Sequence, residues 1–306
     1  MKEKDLVGNL SSCIFVIVKK NRNMKHINEI VKNISVKEEP AKTAGLKFLD
    51  ENIGGLYPGE FTVICGDANC GKTAVMIRQI HQLAMEKKVP VMMVLNGMSE
   101  RTFLACMTAY YCSLFTRDVR KVFTDPLCHE DVESYLTLLH ESPIYIMESH
   151  EFETINDLQL KEFVDENGIQ AIFVECMGFF CESSIEQNHF ARRLKLMAKK
   201  LNVTIVGEYH FFTNDDYPAL SIRQFENNDV IMFADNIIGI IDFQQQGIKQ
   251  DERGNNLRGK VRLKIMKHKG MLSDGKDVIV TKMRLFVRSN SRATYIDGVG
   301  EPLFDW

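Results

Sequence analysis

Gly66-Asp67-Ala68-Asn69-Cys70-Gly71-Lys72-Thr73 has the spacing G-x-x-x-x-G-K-[ST], and the residues on either side of it decide the fold. An apolar run, Phe61-Thr62-Val63-Ile64-Cys65, precedes it, and Ala74 to Lys87 follows with the pattern of a helix. A strand that delivers such a loop to a helix N-terminus makes a phosphate cradle. The glycines let the backbone curl until several N–H groups face one anion, and the helix dipole adds to their pull. In that setting the whole loop, Gly66 to Thr73, surrounds the phosphates. Lys72 reaches the terminal ones and the Thr73 hydroxyl ligates Mg²⁺. At average residue usage such a match arises by chance in about one chain in a hundred of this length. The strand before it and the helix after it make chance rarer still.

The rest of the chain is compatible with a nucleotide-phosphate site. At 306 residues and 45% hydrophobic it can bury one large core or two small ones. A net charge of −3 gives no global basic field, so any nucleic-acid contact must come from local patches. Eight cysteines are scattered without a C-x-x-C pair, and Cys65, Cys106 and Cys176 fall in apolar runs. This usage fits reduced, buried thiols of a cytoplasmic protein better than disulfides or zinc. No run approaches the roughly 18 apolar residues of a membrane span. Cys13 to Val18 is too short for a signal-peptide core and no small-residue cleavage site follows. Met24-Lys25-His26-Ile27 leads straight into the organised part of the chain, so Met1 and Met24 both stand as candidate starts.

Along the chain, apolar residues at Ile27, Ile30, Val31 and Ile34 share one helical face, and Lys37-Glu38-Glu39-Pro40 ends the segment. A lone amphipathic helix must bury that face, either on its own domain or on a neighbouring subunit. This divides the chain into an N-terminal segment with a helix, residues 1–42, and a domain, residues 43–306. From Ala44 onward helices and strands alternate. Strands are expected at Pro90–Leu95, Ile144–Met147, Ala171–Val174 and Val203–Val206. Helices are expected from a Ser99 cap to about Leu114, and over His129–His140, Thr154–Glu166 and Ala191–Leu201. Central strands that are apolar on both faces argue for a parallel sheet covered by helices. After Asn236 only strands follow, at Ile237–Ile241, Val261–Met266, Val278–Thr281 and near Met283–Val287, which reads as an antiparallel extension on one sheet edge. The fold class is therefore α/β, with a mostly parallel central sheet.

Two further positions bear on chemistry. Ala171-Ile172-Phe173-Val174-Glu175 is a strand with a carboxylate at its C-terminal tip, the end at which open α/β sheets bind ligands. It suits a Mg²⁺-associated role. The strand ending Val94-Leu95-Asn96-Gly97 has no carboxylate at its tip, and Glu100 lies in the first turn of the next helix, where it favours the dipole.

Several separated segments together resemble the RecA-like ATPase domain of DnaB-type replicative helicases. They are Gly45-Leu46-Lys47-Phe48-Leu49-Asp50, Gly54-Gly55-Leu56-Tyr57-Pro58-Gly59-Glu60, the phosphate loop and Leu95-Asn96-Gly97-Met98-Ser99. To these are added Glu175-Cys176-Met177, the run Leu194 to Val203, Ala234-Asp235-Asn236-Ile237-Ile238 and Lys267-His268-Lys269-Gly270. The resemblance spans about residues 27–306, with Ile27–Val36 as the family's linker helix. It implies a RecA-like fold, ATP and Mg²⁺ as cofactors, and assembly as a homo-oligomeric ring, a hexamer, around single-stranded DNA. It also implies 5′-to-3′ movement in DNA replication and contacts with other replication proteins. Lys72 and Thr73 carry over as phosphate and Mg²⁺ residues, and Glu175 takes the place of a Mg²⁺-associated aspartate. His210 falls where a glutamine senses the γ-phosphate. Lys267 and Lys269 stand for a lysine–x–arginine pair that reaches a neighbour's site, without arginine's fork geometry.

Departures from the family pattern are as informative. Gly97 occupies the position of the catalytic glutamate. Loss of a water-orienting base and of an arginine finger each costs orders of magnitude in turnover, so binding survives better than hydrolysis. Glu208, near the sensor position, ranks ahead of Glu100 as a substitute base. The resemblance covers no counterpart of the family's N-terminal domain, and none is expected among the few residues that precede the linker.

The loops that the resemblance places in the ring channel are acidic. Phe179 to Asn188 carries Glu182 and Glu186, with no basic residue before Arg192 and Arg193. Phe211 to Asp229 carries Asp215 and Asp216 and only Arg223 as a basic residue. Phe179, Phe180, Phe211 and Phe212 either stack on bases or pack on the core. Arg192, Arg193, Lys195, Lys199 and Lys200 form either a solvated helix face or a DNA contact. Cys70, at a helix N-terminus, is either an activated thiol or simply a small residue that the loop tolerates. Two readings result. One is an ATP-driven DNA translocase; the other is a nucleotide-binding paralogue that regulates assembly. A RecA-type recombinase is disfavoured by the linker-helix match.

Overall fold

The computed structural model describes residues 27, 43–114, 119, 130–180, 184–210, 230–272 and 276–282. The chain divides into two units, Met1–Pro40 and Ala41–Trp306. Of the first, only Ile27 is described; it is helical and 61% exposed. The remainder of the linker helix, the segment Phe211 to Asp229 and the strand expected near Met283–Val287 lie outside the described residues.

The second unit opens with α1 (Lys47–Ile53), then β1 (Phe61–Gly66) and α2 (Lys72–Ile80). α2 continues as a π-helical turn over His81–Glu86, so the single helix read over Ala74–Lys87 changes pitch near its end. β2 (Val91–Leu95), α3 (Glu100–Cys112), α4 (Glu130–His140) and β3 (Ile144–Glu148) follow. Next come α5 (Ser149–Thr154), α6 (Asp157–Glu166), β4 (Ala171–Val174), a 3₁₀ turn at Met177–Phe180, α7 (Ser184–Leu201) and β5 (Thr204–His210). The chain then passes through α8 (Val230–Phe233), β6 (Asn236–Asp242), β7 (Lys260–His268), β8 (Met271–Leu272) and β9 (Asp277–Thr281).

The sheet order is β3-β2-β4-β5-β1-β6-β7, with β8 and β9 both pairing with β7. Every pair from β3 to β6 is parallel. Only β7, β8 and β9 run antiparallel. The first strand after Asn236 therefore belongs to the parallel block, and the antiparallel extension begins one strand later than the sequence suggested.

Alternation along the strands sorts the core into two layers. Ile64 of β1, Val91, Met93 and Leu95 of β2, and Ala171 and Phe173 of β4 face α1 to α4. Their neighbours Val63, Cys65, Met92, Val94, Ile172 and Val174 face α5 to α8. Both faces being covered is why these strands read as unbroken apolar runs. The helix expected over Thr154–Glu166 is two helices. Asn156 caps α6, its Oδ1 accepting from the N–H groups of Leu158 and Gln159 at 3.0 Å each, and the Gln159 side chain reaches back to close a capping box. β5 runs four residues past Val206, which puts Glu208 and His210 inside the strand rather than in a loop after it.

Candidate nucleotide site

The loop between β1 and α2 curls because its glycines permit it. A Cβ on Gly66 would overlap the backbone oxygen of Ile240 and stand 2.7 Å from Cys70 Sγ. Gly71, at the N-cap of α2, has φ of 110°, and no side chain caps that helix end. An uncapped N-terminus of a nine-residue helix presents N–H groups to an anion. Lys72 is 3% exposed and folds back over the loop, its Nζ donating to the carbonyls of Gly66 at 3.0 Å and Asp67 at 2.6 Å. The cradle is braced from the loop after β6. Gln246 Nε2 donates to Asp67 Oδ2 at 2.8 Å, and Gln245 Nε2 to the Ala68 carbonyl at 2.9 Å. Those two glutamines escaped the sequence reading, since only the fold brings them to the loop.

Strand register brings the other site residues to the same sheet end. Glu208 stands opposite Ile64 and His210 opposite Gly66, while Val174, one residue before Glu175, pairs with Gly207. Glu175 is 5% exposed, and its Oε2 accepts three backbone N–H groups, from Asn96 at 3.0 Å, Gly97 at 2.9 Å and Met98 at 3.1 Å. Gly97, the position without a catalytic carboxylate, is thus held by its backbone. Asn96 adds a bond from Nδ2 to the Cys176 carbonyl at 3.2 Å. Cys176 itself has φ of 46°, a strained value for a residue with a side chain, at the turn leaving β4.

Glu208 is 1% exposed, the least accessible carboxylate of the site. Burial pushes its carboxyl up to about 7, opposed by a hydrogen bond with the Thr73 side chain and the charge of Lys72, and assisted by Glu175. Its Oε1 has no hydrogen-bond partner. His210 lies 3.5 Å from Cys176 Sγ through Nε2. Burial, then the Lys72 charge, holds its imidazole below the ordinary value, which favours the neutral ring. Glu100 is exposed in the first turn of α3, whose N-cap Ser99 accepts from Thr102 N–H, and takes no part in the cluster.

Cys70 is fully buried, and burial pushes its thiol up to about 11 despite Lys72. Of the two readings of this residue, the activated thiol is set aside. Phe180 packs on Phe190 with ring centroids 4.5 Å apart and lies edge-on to Phe152, so it belongs to the core. The side chain of Phe179, and Phe211 and Phe212 entirely, lie outside the described residues. The basic face of α7 is largely engaged within the chain. Arg193 covers the Phe152 ring, Lys200 pairs with Asp157 at 2.6 Å, and Lys195 pairs with Asp235.

Lys267 and Lys269 diverge. A bulge in the β6–β7 pairing, between Ile237 and Ile238, leaves Met266 and Lys267 both buried. Lys267 Nζ donates to the Ala234 carbonyl at 2.6 Å, and burial lowers its ammonium. Lys269 is exposed, with its Nζ 4.4 Å from the centre of the Tyr57 ring.

A curled loop, an uncapped helix N-terminus, a buried lysine, a hydroxyl and a carboxylate with an unpartnered oxygen suit a Mg²⁺–nucleotide phosphate. On this sheet they define a RecA-like P-loop ATPase fold. A family model, the DnaB-like helicase C terminal domain, matches residues 42–208, and the chain belongs to that family. The replicative DNA helicase DnaB of Treponema pallidum (strain Nichols) is 24% identical over 175 residues, a stretch of 53% of this chain and 39% of that protein. The chain thus covers 39% of the length of this relative. Among solved structures, the ATPase domain of G40P superposes with a TM-score of 0.67 at 15% identity, over 84% of this chain and 95% of that one. A DnaB-like replicative helicase, described with its interactions with primase, gives 0.63 at 14% identity, over 89% and 68% respectively. At such identities these two structures speak for the fold.

Proposed function

We propose that the chain is a DnaB-like, ATP-dependent motor that moves on single-stranded DNA in replication, working as a ring of identical subunits, a hexamer. The observation that carries this reading is the intact phosphate cradle, with Lys72, Thr73, Glu208 and His210 brought to one sheet end in a chain of this family. Loop N–H groups and Lys72 hold the nucleotide phosphates; His210, on the strand beside the loop, is placed to respond to the terminal one. When bound, Mg²⁺ would screen phosphate charge. Of the lysine pair, exposed Lys269 is the residue we assign to a neighbour's nucleotide, since Lys267 is committed to its own chain. Contacts with other replication proteins and a cytoplasmic location complete the proposal. Among the described residues no helix is long and apolar enough to cross a membrane.

A specific observation favours a second reading, a nucleotide-binding regulator with little turnover. Gly97 supplies no carboxylate, and Glu175 is occupied by the backbone around it. The two readings separate on a forked DNA duplex with a single-stranded tail. The motor unwinds it with Mg²⁺ and ATP, and Lys72→Ala abolishes this. ATP-dependent DNA binding without unwinding identifies the regulator.

A further inference from the structure

We propose that Gln246 is a positioning residue for nucleotide binding: it holds the one acidic side chain of the phosphate loop, Asp67, in a fixed place beside the cradle. The inference rests on the nucleotide-binding reading above. Between Gly66 and Thr73, Asp67 is the only acid, in a loop that is to receive polyanionic phosphates. A carboxylate free to turn toward them would repel them, and the more so as water leaves the site. Gln246 Nε2 donates to Asp67 Oδ2 at 2.8 Å, and Gln245 Nε2 donates to the carbonyl of the next residue, Ala68, at 2.9 Å. Both bonds come from the loop after β6, the strand beside β1.

Other restraints on this turn are weak or temporary. Inside the loop the Cys70 N–H reaches the Asp67 carbonyl at 3.4 Å, a long bond. Lys72 Nζ ties down the carbonyls of Gly66 and Asp67, and these are the bonds it exchanges when its ammonium turns to the terminal phosphates. The two glutamine amides have no such competing task, and the backbone that carries them is fixed. Buried Asp242 ends β6; its Oδ1 accepts the Gln244 N–H at 3.0 Å, and its carbonyl accepts the Gln246 N–H at 3.2 Å. Lys282, just past β9, holds its Oδ2 at 2.6 Å. Gln246 thus offers its amide from a short turn pinned at its base by an ion pair, so little freedom is lost in keeping the bond to Asp67.

The test is equilibrium binding of ADP carrying a fluorophore on its ribose, in EDTA and in excess Mg²⁺, with a melting temperature for each variant. Gln246→Leu is expected to weaken binding about 5- to 10-fold with the melting temperature kept. Placed on Asp67→Asn, the same change is expected to alter affinity by less than about twofold, since no acid remains to be held. Gln246→Glu, which sets a second carboxylate against the first, is expected to weaken binding more than Gln246→Leu does. Adding Asp67→Asn to it exchanges donor and acceptor across the pair and is expected to recover most of that loss. Should Gln246→Leu fail to fold, Gln246→Ala carries the same comparison. A Gln246→Leu chain that binds like wild type overturns the proposal. So does an affinity that falls equally with and without Asp67→Asn, which is the mark of general support for the loop. A wild-type chain that binds no nucleotide in either condition overturns the nucleotide reading itself, and the proposal falls with it.

Discussion

Asp235→Ala probes the support beneath the phosphate loop. The Asp235 carboxylate, at the turn into β6, accepts the N–H of Phe61 at 2.7 Å and pairs with Lys195, whose Nζ also reaches the Gly59 carbonyl at 3.1 Å. Phe61 begins β1 and is fully buried, so removing its acceptor leaves an N–H that water cannot reach, at about 1–3 kcal/mol. Breaking a fully buried ion pair costs about 3–5 kcal/mol. Here the side chains retain 14% and 24% exposure and Lys195 keeps its carbonyl partner, so about 1 kcal/mol is a fairer share. Together the loss is about 3 kcal/mol, or roughly 6–12 °C in melting temperature for a domain of this size. Asp235→Asn keeps an acceptor for Phe61 and loses only the charge, so about half that loss is expected. Urea unfolding followed by circular dichroism reads both. Nucleotide affinity falls in parallel, because β1 delivers the loop. An Asp235→Ala chain within about 0.5 kcal/mol of wild type would refute the reasoning and return Lys195 to the pool of free surface cations.

Other expectations follow from the same contacts. Gly66→Ala pushes a methyl group against the β6 backbone at Ile240, and urea unfolding should register a loss of about 1–3 kcal/mol, with nucleotide binding lost as well. Burial pushes the thiols of Cys70 and Cys176 up to about 11 and about 12, so both stay protonated at pH 8. Mass-mapped alkylation there should be at least about a hundredfold slower in the native chain than in urea, and equal rates would contradict their burial. Gly97 does not have a positive φ, so its backbone accepts a side chain. If the missing carboxylate limits turnover, Gly97→Glu raises ATP hydrolysis by about 10²-fold or more, whereas an unchanged rate shows that another group already activates the water.

The phosphate loop was legible because its chemistry is contiguous in sequence: eight residues carry cradle, cation and hydroxyl together. The parallel sheet was legible for a related reason, since strands covered on both faces become runs such as Val91 to Leu95. The helix break at Asn156 was there to be read in its spacing to Gln159, a capping box masked by the polar residues around it. The site's acidic half was not legible. Glu175 and Glu208 differ in what their oxygens touch, and those partners, Asn96 to Met98 for one and Cys176 for the other, come from other strands and loops. Gly207 and two polar residues after it made the end of β5 look like a loop. Nor could alternation foresee that a bulge would turn Lys267 inward.

The central claim is that an intact phosphate cradle drives a motor on DNA. Steady-state ATP hydrolysis by the purified chain, with and without single-stranded DNA and beside Lys72→Ala, tests it most directly. The account predicts turnover that DNA stimulates and that disappears in the variant. Turnover that ignores DNA, or that survives Lys72→Ala, would contradict it.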